Sequence, residues 1–172
     1  MSILCDAEIR ALCEQGLLVQ PYQPELVNPA SLDVRLGPTL LVEKIGHHRL
    51  DPYSLEGFTE EMPFYLAPGR FVLAETVETF HVPDEYAGQF ALKSSRAREG
   101  IEHLMAGYID PGFNNSKLTL ELCNARRYHP VAIWPGMRIG QVVWHRMSAV
   151  PEQSYRQTGR YNNDPAVQRS KG

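Results

Sequence analysis

The sequence predicts a mainly β protein, an all-β sandwich or barrel with a short N-terminal helix and minor helical turns. Three observations carry that expectation. The chain breaks into many short apolar or alternating runs, and Pro68-Gly69, Pro111-Gly112 and Pro135-Gly136 punctuate them as turns. Helical periodicity is confined to the opening segment. There Asp6 is placed to cap a helix, Ile9, Leu12 and Cys13 recur at helical spacing, and Gly16 stops it. The period then changes to two: Ser31-Leu32-Asp33-Val34-Arg35-Leu36 alternates polar and apolar, and Gly37-Pro38 is expected to end that strand. Further strands are expected at residues 40–44, 70–76, 89–92, 117–123, 131–134 and 138–146, with Pro83-Asp84 as another turn.

With 172 residues, 43% of them hydrophobic and 22% charged, the chain suffices for one sizeable core and has the balance of a globular protein. A formal net charge of -3 argues against a general nucleic-acid binder, whose affinity rests on excess Lys and Arg along one face. Any anion site must be local. No stretch approaches the roughly 18 to 20 apolar residues of a membrane span, and no basic segment leads into an apolar run at the start, so a cytoplasmic protein is expected. Cys5, Cys13 and Cys123 lie within apolar patterns and are expected as reduced core thiols. Apart from His47-His48 in a polar loop, the histidines are scattered singly and read as structural or surface residues. With no Cys-x-x-Cys either, no metal site is expected. From Pro151 onward the chain turns polar and aperiodic, which divides it into a β domain over 1–150 and a tail over 151–172. Composition reads the tail as a frayed terminus. Tyr155, Arg156, Arg160 and Tyr161 suggest instead a mobile flap that closes over a ligand and excludes water.

Chemistry concentrates near the middle. Lys93-Ser94-Ser95-Arg96-Ala97-Arg98-Glu99-Gly100 forms a cationic, hydroxyl-bearing turn whose charges and helix-start amides suit a phosphorylated small molecule. It equally suits an exposed basic turn with a helix cap. Asp110 follows in Ile109-Asp110-Pro111-Gly112-Phe113, a rigid turn in which the carboxylate either meets a ligand or bonds its own backbone. In Leu118-Thr119-Leu120-Glu121-Leu122, Thr119 and Glu121 share one strand face, so Glu121 is either a proton carrier beside the site or an outward-facing residue. Asp33, which meets Arg35 on its own strand, suits a structural ion pair as well as a nucleotide contact.

These blocks, taken in order with Leu4-Cys5-Asp6, the 31–37 strand, Ala106-Gly107-Tyr108 and Trp134-Pro135-Gly136-Met137-Arg138-Ile139-Gly140-Gln141, resemble the deoxycytidine triphosphate (dCTP) deaminases, relatives of the trimeric dUTPases. The resemblance implies a dUTPase-like distorted β-barrel and a homotrimer with active sites at subunit boundaries. It implies hydrolysis of dCTP to dUTP and ammonia without zinc, with Mg2+ accompanying the triphosphate. Glu121 stands at the acid/base position, Ser94 would hold the attacking water with carbonyls around Leu104 and Ala106, and Arg98 would orient both. Lys93, Ser95 and Arg96 would serve the phosphates, Asp110 the deoxyribose 3′-hydroxyl, Thr119 the substrate beside Glu121, and Tyr155 and Arg160 the closing flap. A silent regulatory relative would lack the set Ser94, Arg98 and Glu121.

Several departures from the family's pattern stand out. The segment between Gly100 and Ala106 is one residue shorter, that between Phe113 and Glu121 one longer, and Met105 replaces a threonine tied to thymidine triphosphate feedback. Asp164 replaces an expected glutamine, which weakens the phosphate grip and favours an enzyme that stops at dUTP. Gly107 favours the alternative, a bifunctional enzyme that continues to dUMP, if its small size leaves room for a second water near the α-phosphate.

Overall fold

Alternating apolar residues close most of this chain into one curled sheet. A computed structural model describes residues 2–46 and 48–172; His47 lies outside the described residues. In chain order the elements are β1 (Ser2–Ile3), α1 (Asp6–Glu14), β2 (Leu18–Gln20), a 3-10 turn (Pro24–Leu26), β3 (Val27–Asn28), β4 (Ser31–Val42), β5 (Asp51–Ser54) and β6 (Phe64–Leu66). They continue with β7 (Phe71–His81), β8 (Tyr86–Leu92), α2 (Ser94–Glu99), β9 (Ile101–His103), β10 (Tyr108–Ile109), β11 (Asn114–Asn124), β12 (Val131–Ile133), β13 (Arg138–Arg146) and α3 (Tyr155–Thr158). Eleven strands share one antiparallel sheet with the central order β10-β8-β13-β4-β7-β11-β9, and β12 pairs with β6 separately. This is a mainly β, curled sheet with few short helices, as the sequence predicts.

Gly37-Pro38 does not end its strand. β4 runs through it, pairing with β13 over Leu32–Arg35 and with β7 over Leu36–Val42, with a register break between Leu36 and Leu40. A break of this kind is where a proline, which donates no ladder hydrogen bond, is tolerated within a sheet. Glycine is needed there because a Cβ at Gly37 would approach Glu75 Cγ to 2.6 Å. The strand thus bends from one wall to the next. In the same way Asp6 is the first residue of α1, not its cap: Cys5 takes that place, and its N–H donates to Glu8 Oε2 at 3.1 Å. Of the cysteines only Cys13 is buried, which pushes its thiol up to about 11, while Cys5 is exposed and Cys123 half-buried.

Leu32, Val34, Leu36 and Leu40 of β4 meet Ala74 and Phe80 of β7, Leu120 and Leu122 of β11, and Trp144 of β13 in one continuous core. Each aliphatic side chain so buried contributes about 1.5–3 kcal/mol. The opposite face of β4 and β7 carries a second, smaller cluster, in which Leu41 and Leu73 pack against Val167 of the tail. Three buried carboxylates, each matched to a cation, stitch the wall: Asp33 to Lys93 (2.6 Å), Glu78 to Arg35 (2.8 Å) and Glu75 to Lys117 (2.9 Å). Asp33 is therefore ion-paired, but across strands rather than to Arg35. Among the described residues no helix is long and apolar enough to cross a membrane.

Candidate active site

Strand alternation decides which side chains meet at the site. Along β11, Leu118, Leu120 and Leu122 enter the core, so Lys117, Thr119 and Glu121 project to the other face. Lys117, Thr119 and Glu121 on that face are only partly exposed. A cavity of about 730 Å3 lies against it, walled by Leu73 of β7, the 106–110 segment, the 48–50 loop and the tail. Glu121, Thr119, Ala106, Asp110 and Tyr155 all line it. β11 has register breaks between Asn114 and Ser116 and between Lys117 and Thr119, with Asn115 in the left-handed conformation at φ 50, and Glu121 pairs with Leu73.

Asp110 is presented by a tight turn: the Phe113 N–H donates to the Asp110 carbonyl at 3.1 Å, Pro111 follows, and Gly112 has φ 86. Proline then glycine of positive φ are the central residues of a type II turn. Gly112 also admits the tail, because a Cβ there would strike Ser154 Oγ, which donates to Asp84 at 2.5 Å. The Asp110 side chain is open on one side, yet the partial loss of water around it raises its carboxyl above the ordinary aspartate value. Tyr155, whose ring lies tilted against Phe113 at 5.9 Å, is likewise raised, first by desolvation and then by nearby groups that include Asp110.

Glu121 is three-quarters buried, and its neighbour is a residue that sequence reasoning passed over. His103 Nε2 lies 3.3 Å from Glu121 Oε2, without hydrogen-bond alignment, and both atoms are shielded from solvent. The His103 ring packs on Phe90 at 4.7 Å. A lone histidine has no spacing signal. It arrives here because β9 pairs with β11, Leu122 opposite His103.

The remaining candidates are not brought to this cavity. Ser94, Ser95 and Arg98 lie exposed on α2, where their side chains have no hydrogen-bond or ion-pair partner among the described residues, and Lys93, not a serine, is the helix cap position. Lys93 Nζ is held by both oxygens of Asp33 at 2.7 and 2.6 Å. Arg96 donates to Glu99 at 2.6 Å and stacks on Trp134. Arg160 is exposed, and its carbonyl accepts from Lys171 Nζ. Asp164 lines the cavity with its carboxylate bound to Lys171 Nζ at 2.6 Å. A Cβ at Gly107 would meet the Phe90 carbonyl oxygen at 2.9 Å, so glycine permits the close approach of this segment to β8. Met105, with φ 61, is 90% exposed and outside the cavity wall. No group of three or more His, Cys, Asp or Glu suited to a metal occurs among the described residues.

A family model described as dCTP deaminase-like matches residues 3–147. Among curated proteins, the chain is 44% identical over 151 residues to a "dCTP deaminase, dUMP-forming" of Methanospirillum hungatei, covering 83% of this chain and 80% of that protein. It is 40% identical over 163 residues to a protein of the same name from Rhodococcus opacus, covering 89% and 85%. Among solved structures, the 2′-deoxycytidine 5′-triphosphate deaminase of Agrobacterium tumefaciens superposes with a TM-score of 0.68 at 23% identity, over 84% of this chain and 48% of that one, a likeness of fold. The chain thus spans about half of that protein's length.

Proposed function

The chain belongs to the dCTP deaminase-like family, and from that premise we propose that it is an enzyme that deaminates dCTP hydrolytically and carries the product on to dUMP. The observation that carries this reading is the single cavity joining Glu121, Thr119, Ala106 and Asp110. In the proposed reaction water adds at C4 of the cytosine ring. Glu121 accepts its proton, protonates the ring nitrogen and passes a proton to the departing ammonia, leaving a carbonyl at C4. Asp110 accepts a hydrogen bond from the 3′-hydroxyl. Mg2+ enters with the triphosphate, held by phosphate oxygens and water.

The location of Ser94 and Arg98 supports a homotrimer. They stand exposed outside the cavity, and among the described residues they have no hydrogen-bond or ion-pair partner and Glu121 has no Lys or Arg ion pair. A neighbouring copy that brings its α2 to this cavity supplies the hydroxyl and the cation together. Mixed trimers of Glu121→Gln and Ser94→Ala chains then regain part of the activity each lacks alone, because some boundaries reunite the intact halves.

The relatives' printed names favour dUMP over dUTP as the product. Asp164, which weighs against phosphate grip when read alone, is bound to the Lys171 ammonium within the tail. Incubating the purified protein with each deoxynucleoside triphosphate and following ammonia and pyrophosphate together tests both steps. Equal release from dCTP is expected. Ammonia without pyrophosphate would restore the dUTP-forming reading, and no ammonia would remove deamination altogether.

A further inference from the structure

The tail is tied to the barrel by backbone and side-chain hydrogen bonds, one of which reaches a buried carboxylate. Residues 162–168 follow β11 toward Glu121: Asn162 Oδ1 accepts from the Asn114 N–H at 2.7 Å, the Asp164 carbonyl from the Lys117 N–H at 2.9 Å, and Thr119 Oγ1 from the Gln168 N–H at 3.1 Å. Between the last two, the Val167 N–H donates to Glu75 Oε2 at 2.8 Å, while Glu75 Oε1 accepts from Lys117 Nζ at 2.9 Å. Glu75 is 2% exposed and Val167 8%. The bend of β4 at Gly37 gives Glu75 its space.

Placing a carboxylate there is costly unless both oxygens are satisfied. The strand cation satisfies one. The other is satisfied by the tail, which also lays Val167 on Leu41 and Leu73. If the tail left, Glu75 would lose an acceptor contact and two apolar residues would be uncovered together. We infer that Glu75 is the latch that holds the tail across its own subunit's cavity before any nucleotide arrives. It is a positioning residue: it lines no part of the cavity, and acts through Gln168, Arg169 and Tyr161, which do. The inference rests on the reading of that cavity as the nucleotide site.

Limited proteolysis of the full chain without nucleotide tests the latch independently of any reaction. Glu75→Gln removes the charge that pairs with Lys117, and Val167→Pro removes the tail's N–H donor together with the Val167 side chain that packs on Leu41 and Leu73, so both tail contacts of the latch are lost at once. Each is expected to speed cleavage within 151–172 by about tenfold, the worth of a charge-assisted hydrogen bond, while cleavage in the barrel stays at the parent rate. In turnover, both variants are expected to raise KM for dCTP several-fold more than they lower kcat. Should Glu75→Gln fail to fold, Val167→Pro carries the test alone. Unchanged tail protection in the folded variants would overturn the latch, as would barrel cleavage accelerated as much as tail cleavage, which would make the residue merely structural. An altered tail with no deamination by the parent would leave the latch standing and remove the proposed function.

Discussion

Two sets of carboxylates divide the molecule. In the wall seam, Asp33, Glu75 and Glu78 are each at most 2% exposed and each lies within 2.9 Å of a lysine or arginine nitrogen. At the cavity, Glu121 and Asp110 are less buried and have no such cation; Glu121 faces only a histidine, and Asp110 has no ion pair among the described residues. Burial therefore does not mark the carboxylates we propose as functional. The lack of neutralisation does: a carboxylate already matched to a cation has spent its charge on the fold, whereas one left unmatched keeps it for a ligand or a proton.

The largest effect that sharpens this contrast is at Glu121. Glu121→Gln keeps the shape and removes the proton carrier, so ammonia release is expected to fall by about 10²–10⁴ while thermal stability and nucleotide binding persist. Near-parental turnover would move Glu121 to the structural set. At Glu78, whose two oxygens accept from Arg35 Nε and the Arg35 N–H at 2.8 and 2.9 Å, the expectation is the reverse. Glu78→Ala leaves a buried guanidinium unmatched, which costs about 3–5 kcal/mol in urea unfolding, with kcat per folded chain unchanged. A loss of kcat without loss of stability would break the division.

How much of this was legible depended on length of pattern. β4, β7, β11 and β13 run nine residues or more, so their alternation shows in the sequence, and β13 matches its expected bounds at Arg138–Arg146. Strands such as β3, β9 and β10, of two or three residues, are too short to show a period, and their pairing is settled by neighbours far along the chain. The same limit explains the site. Glu121, Thr119 and Asp110 sit on long or turn-bounded segments that stand out in the sequence, and they line one cavity, whereas His103 sits on β9, which carries no such pattern. Lys93 was read from its run of cations, but its partner is Asp33, sixty positions away in sequence. No local pattern announces such a pairing.

The smallest effect distinguishes the two roles that a turn aspartate can play. Desolvation raises the Asp110 carboxyl in the folded chain, so the ionised form is less favourable there than in the unfolded chain. The sign follows: the penalty is fully present above the folded value and disappears below the unfolded value of about 3.9, where both states are protonated. Asp110→Asn removes an ionisable group that gives nothing to the fold. The variant is therefore expected to match or slightly exceed the parent in thermal midpoint at pH 7, by no more than the roughly 0.5 kcal/mol usual for open positions, and to lose that advantage by pH 3. Its turnover of dCTP should nevertheless fall, because the amide presents a donor as well as an acceptor to the 3′-hydroxyl. Calorimetry across that pH range decides: a variant less stable than its parent at pH 7 would show that Asp110 serves its own turn, and would place it with the seam carboxylates rather than with Glu121.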